Sequence, residues 1–81
     1  MIMVDVYVAS LNKSFDFGIE PEASVAAVIE EIVEMICQNE QYSMPEAGDF
    51  ALCCLDSQKI LSPQSAIAAN GIQTGNRLLL V

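Results

Sequence analysis

An α+β fold, with one helix lying across a mixed sheet of four to five strands, is predicted for this 81-residue chain. Three observations predict it. Residues 1–9 alternate between apolar and mixed positions, the period of a half-buried strand. Residues 25–38 instead carry apolar residues at helical spacing. The chain closes on an apolar run, Arg77-Leu78-Leu79-Leu80-Val81, after the turn signal Thr74-Gly75-Asn76.

In the first strand Ile2, Val4, Val6 and Val8 face one way, and Met3, Asp5, Tyr7 and Ala9 the other. Residues 10–14 read as a turn. Phe15, Phe17 and Ile19 then alternate inward, so the two strands form an antiparallel hairpin. Glu20-Pro21 ends the second strand, because proline cannot donate to the ladder. Ser24 suits a helix N-cap. At ~100° per residue, Val25, Val28, Ile29, Ile32, Val33, Met35 and Ile36 share one arc. Ala27, Glu30, Glu31, Glu34 and Gln38 occupy the other. Residues 39–49 read as a connecting loop with proline and glycine in it. Residues 50–55 form a strand, 56–58 a tight turn and 59–61 a short strand. Residues 62–72 are a compact excursion with one helical turn at Ser65 to Ala69, and Arg77 to Val81 is the last strand. Two hairpin strands followed by a crossover helix fit a sheet that wraps one face around that helix.

Composition narrows the function. Eleven acidic residues oppose Lys13, Lys59 and Arg77, a net charge of −8 that repels nucleic acid and anionic lipid. Histidine is absent, which removes the commonest general base and metal ligand. The hydrophobic fraction of 53% argues against disorder. The longest near-continuous apolar stretch, Ala23 to Val33, falls well short of the ~20 residues that a membrane span needs. No basic segment precedes an apolar one at the N-terminus, so no signal peptide is expected and a cytosolic, single domain over residues 1–81 is the default. Three cysteines, an odd number, then suggest reduced thiols.

Candidate chemistry is sparse. Adjacent strand residues point to opposite faces, so Cys53 and Cys54 cannot comfortably chelate one ion, and both read as small apolar packing residues. Cys37 sits near the rim of the helix stripe and reads the same way. Glu30, Glu31 and Glu34 form a solvated helix face, with docking of a basic partner as a secondary reading. The Asp56-Ser57 pair invites comparison with the phosphopantetheine serine of acyl carrier proteins. Ser57 follows a strand rather than opening a helix, and Pro63 lies too close for a useful helix. No cofactor and no catalytic activity are expected.

Residues 15–32, running from Phe15 through the Glu20-Pro21 corner into the helix, resemble the second strand and helix start of ubiquitin. Gly71-Ile72-Gln73-Thr74-Gly75-Asn76-Arg77-Leu78 is similar to the closing turn and last strand of that β-grasp fold. The stretch from Gln58 to Leu78 looks most like the small bacterial YukD/EsaB proteins that accompany type VII (WXG100) secretion systems. The β-grasp resemblance implies a last strand lying centrally, beside the first and the third, with Leu78 and Leu80 facing the helix. Ubiquitin and the sulfur carriers act through a flexible Gly-Gly tail. A carboxylate on Val81, at the end of a central strand, lacks that lead, so adenylation and conjugation are not expected.

An excess of apolar residues in the strands remains. One sheet face packs on the helix, and the other should be polar. The strand at 50–55 is apolar on both faces. Counting from residues 56–61, the register puts Ala51, Cys53 and Leu55 inside. Phe50, Leu52 and Cys54 then stand beside Leu79 and Val81 on the open face, which ubiquitin uses for its partners. Such a patch marks an interaction site unless the 40–49 loop covers it. The resemblance therefore implies a non-catalytic adaptor in type VII secretion. It would dock this face on a cytosolic domain of the apparatus, and so reach the inner face of the membrane through a partner. Sequence leaves open a homo-oligomer, a subunit that only stabilises a larger complex, and a sulfur carrier or conjugated modifier.

Overall fold

The computed structural model describes residues 1–40 and 50–81, the side chains of Asn39 and Glu40 excepted. Of the loop expected at 39–49, residues 39–40 instead continue the helix; residues 41–49, and any covering of the open face by them, fall outside the described residues. Alternation along the first two strands sets β1 (Ile2–Val8) and β2 (Lys13–Ile19), joined as an antiparallel hairpin. The helical stripe sets α1 (Val25–Glu40). The short strands β3 (Leu52–Cys54) and β4 (Lys59–Ile60) follow, then a 3-10 turn at Ala68–Asn70 and β5 (Arg77–Leu80). The sheet order is β2-β1-β5-β3-β4, with β1 and β5 parallel. The last strand is therefore central, between the first and the third, as expected.

Alternation in β1, β2 and β5, and the helical period in α1, predict the core of these four elements. Val4, Val6 and Val8 of β1, Ile19 of β2, and Leu78 and Leu80 of β5 are buried against Val25, Val28, Ile29, Ile32 and Ile36 of α1. Phe15, Phe17, Val33 and Met35 pack around this cluster from its margin.

The start of α1 is closed by side chain and backbone together. Ser24 Oγ accepts from the Ala27 N–H at 3.2 Å, the N-cap expected from sequence. The N–H groups of Val25 and Ala26, which have no acceptor within the helix, donate instead to the carbonyls of Ser65 and Pro63, both at 2.9 Å. Ile67 and Ala68 return the contact by donating to the carbonyls of Ala23 and Pro21. Residues 62–70 thus form a plug on the helix end, with Ile67 fully buried beneath it. Asn70 holds the plug in shape: its side-chain amide donates to the Ala66 carbonyl at 2.8 Å, and its Oδ1 accepts from the Ser62 N–H. The left-handed φ of +76° at Gly71 lets the chain leave.

The register of β3 departs from the sequence expectation. Leu52 pairs with Leu80 and Cys54 with Leu78. Directly opposite residues share a face, so Leu52 and Cys54 point toward α1 and are almost wholly buried. Phe50 also packs against the core cluster. Cys53, Ala51 and Leu55 stand on the other side. The reason is the turn. A three-residue turn at 56–58 would align Cys53 with Leu61. The turn instead includes Leu55, with Gln58 at a left-handed φ of +57°, and Cys53 pairs with Ile60. Leu61, a core residue, donates its N–H to the Leu52 carbonyl at 2.8 Å. One residue of turn length exchanges the two faces of the strand.

Candidate functional site: the open face of the sheet

A single row of partnered residues crosses all five strands on the face away from α1: Ser14, Tyr7, Leu79, Cys53 and Ile60. Leu79, Tyr7 and Cys53 are half-buried by one another along it, and Ile60 at the edge is 76% exposed. The Tyr7 hydroxyl donates to Asn12 Oδ1, which fixes the ring over the β1–β2 turn. Beside the row, Val81 and Ala51 exchange both backbone hydrogen bonds and extend the β3–β5 ladder by one pair. Val81 stands 49% exposed there. On the other side Leu55 donates its N–H to the Arg77 carbonyl, continuing the same ladder. Further along β1, Met1 and Met3 lie over Gly18, whose missing Cβ leaves the room that the two thioethers occupy. Met1, Met3, Leu55, Ile60 and Val81 are the large exposed apolar residues among those described; register places Met3 and Ile60 on this face, and Met1 joins Met3 over Gly18.

Of the five residues expected on this surface, Leu79 and Val81 lie on it. Leu52 and Cys54 are core residues, and Phe50 packs with them. Tyr7 and Met3 replace them, and the alternation of the first strand already put both on the outer side. Cys53, Leu55 and Ile60 required the length of the β3–β4 turn, which composition does not state.

The next row is charged. Asp16 pairs with Asp5 across β2 and β1, and Asp5 with Arg77 across β1 and β5. The Arg77 guanidinium turns to Asp56 instead, with Nη2 at 3.4 Å from its carboxylate. Asp56 also accepts from the Arg77 backbone N–H at 2.6 Å and from the Asn76 side-chain amide at 3.5 Å. The backbone N–H of Arg77 is the main cause that holds the Asp56 carboxyl below its ordinary value. Some loss of hydration opposes this, and the charge and side-chain donors of Arg77 and Asn76 reinforce it. The site is thus an apolar row bordered by carboxylates. Among the described residues, no group of three or more cysteine, aspartate or glutamate side chains is placed to hold a metal ion. Cys53 and Cys54 open on opposite faces. No helix of the described residues is long and apolar enough to cross a membrane.

Comparison with known proteins gives the fold its family context. The model of the family described as "WXG100 protein secretion system (Wss), protein YukD" matches residues 3–80. Among solved structures, a ubiquitin-like domain from Arabidopsis thaliana superposes with a TM-score of 0.75 at 16% identity, over 99% of this chain and 74% of that one. The EccD5 ubiquitin-like domain from Mycobacterium xenopi also reaches 0.75, at 17% identity, over 99% of this chain and 91% of that one. Both likenesses establish a ubiquitin-like β-grasp fold. No curated protein matches the chain.

Proposed function

We propose that this chain, which belongs to the YukD family of the WXG100 protein secretion system, is a non-catalytic docking module that binds another protein of that system through its open sheet face. The observation that carries the reading is the apolar row from Tyr7 to Ile60, with Val81 beside it and Met3 on the same face beyond the charged row. Apolar surface gathered on one face, with a polar border, is the usual mark of a protein-binding site. In this reading Leu79, between Tyr7 and Cys53 at the middle of the sheet, serves as the central anchor. Ile60 contributes the most exposed side chain of the row. The partner is expected to be a cytosolic domain of a secretion component, the role that places an adaptor beside a membrane it does not enter.

The test is a pair of threonine substitutions, which keep strand preference while removing apolar surface. Burying a side chain of this kind is worth ~1.5–3 kcal/mol. Leu79→Thr with Ile60→Thr should therefore abolish co-purification of secretion-system components from the native cell. Its melting temperature should stay far above that of Ile32→Ala. Capture at the wild-type level, or unfolding as severe as that of the core variant, would overturn the reading.

A further inference from the structure

Resting on the open face as the docking surface, we infer that its partner is a protein surface carrying arginine or lysine side chains beside an apolar stripe. The apolar row alone does not specify this; the charge pattern beside it does. Asp5 and Asp16 are directly opposite on neighbouring strands, an arrangement that disfavours the folded sheet because like charges at this separation repel. Arg77 is the other neighbour of Asp5, yet its guanidinium is committed to Asp56. The two remaining cations of the chain start from the other face. Lys13 pairs with Val8 and Lys59 with Cys54, so register puts both on the side of α1. Two carboxylates therefore border the apolar row.

The same pattern selects among occupants. A second copy docking by the same face would bring this carboxylate pair against a surface whose one cation is already paired, since a two-fold interface uses one patch twice. Anionic lipid and nucleic acid are repelled by the face and by the net charge of −8. A cationic partner is attracted by both. Its charged groups would settle over Asp5 and Asp16 while its apolar side chains cover Tyr7, Leu79 and Ile60.

The test uses the whole chain, isotopically labelled, titrated with two synthetic helical peptides of equal length. Both carry the same leucine stripe, one flanked by arginine and the other by glutamate. The arginine peptide should shift the amides of Asp5, Asp16, Cys53 and Leu79, and the glutamate peptide should not. Asp5→Asn and Asp16→Asn should each weaken the arginine peptide about two- to fivefold, the range of an exposed ion pair. Both variants should melt no lower than the wild type, which separates a charge effect from damage to the fold. Equal binding of the two peptides at the open face would overturn the cationic partner while leaving the docking surface standing. Shifts confined to the helix face around Glu30, Glu31 and Glu34, or none with either peptide, would overturn the inference as well.

Discussion

Asp56 and Leu52 show how much can turn on a single side chain in this fold. The Asp56 carboxylate ties the β3–β4 turn to the start of β5 by accepting from the Arg77 backbone. Its pKa lies below the ordinary value of 3.8 in the folded protein, so the folded state binds that proton less tightly than the unfolded chain does. The stabilisation is complete above the unfolded value and is lost as pH falls through the folded one. Asp56→Ala should therefore melt below the wild type by a constant margin from neutral pH down to about pH 5, and the two curves should converge in stronger acid. A margin that does not close on acidification would mean that the carboxylate is not the group responsible. Leu52 and Cys53 make the complementary case, since adjacent residues have opposite fates. Leu52→Ala opens a core cavity and should cost ~2–5 kcal/mol in denaturant unfolding. Cys53→Ser, on the open face, should stay within about 1 kcal/mol. Sequence alone cannot order these two, because a strand that is apolar on both sides carries no alternation to read.

Elements with a strong internal period are legible in the sequence. Helix α1 has its stripe and its cap where residues 24–38 put them, since the 3.6-residue period and the Ser24 hydroxyl are local signals. Ser24→Ala should cost about 0.5–2 kcal/mol. The plug at 62–70 is less legible: its residues predict an excursion with one helical turn at 65–69, and the turn forms instead at Ala68–Asn70. Its contribution comes from backbone carbonyls, and any residue type can supply those. Four hydrogen bonds link it to the chain around the start of the helix, between Val25, Ala26, Ile67 and Ala68 and their acceptors. The plug and the first turn of α1 should consequently open as one unit. Native-state hydrogen exchange should give these four amides a common opening free energy. Fast exchange of Ile67 and Ala68 beside slow exchange of Val25 and Ala26 would show that the plug detaches by itself.

Across the molecule, the order of strands and helix is sufficient for the topology, because a short hairpin followed by a crossover helix leaves few ways to close a sheet. The surface is only half readable, since exposure depends on a turn length that the order of elements does not state. Charge is where the whole chain acts together. Eleven carboxylates against three cations leave the folded state under self-repulsion, sharpened locally where Asp5 faces Asp16. Salt screens this over a Debye length of ~10 Å at 0.1 M. Raising ionic strength from about 0.01 M to 0.5 M should therefore raise the melting temperature, since repulsion in the compact state is relieved more than in the expanded chain. Attraction to a cationic partner is screened by the same ions, so association should slow over that range. The two responses have opposite signs from one cause. Chloride salts, which screen charge without strongly strengthening apolar burial, are the right reagents. Melting that is flat or falls with added chloride would show that the carboxylates are compensated within the fold, and the electrostatic strain assigned to Asp5 and Asp16 would lose its basis.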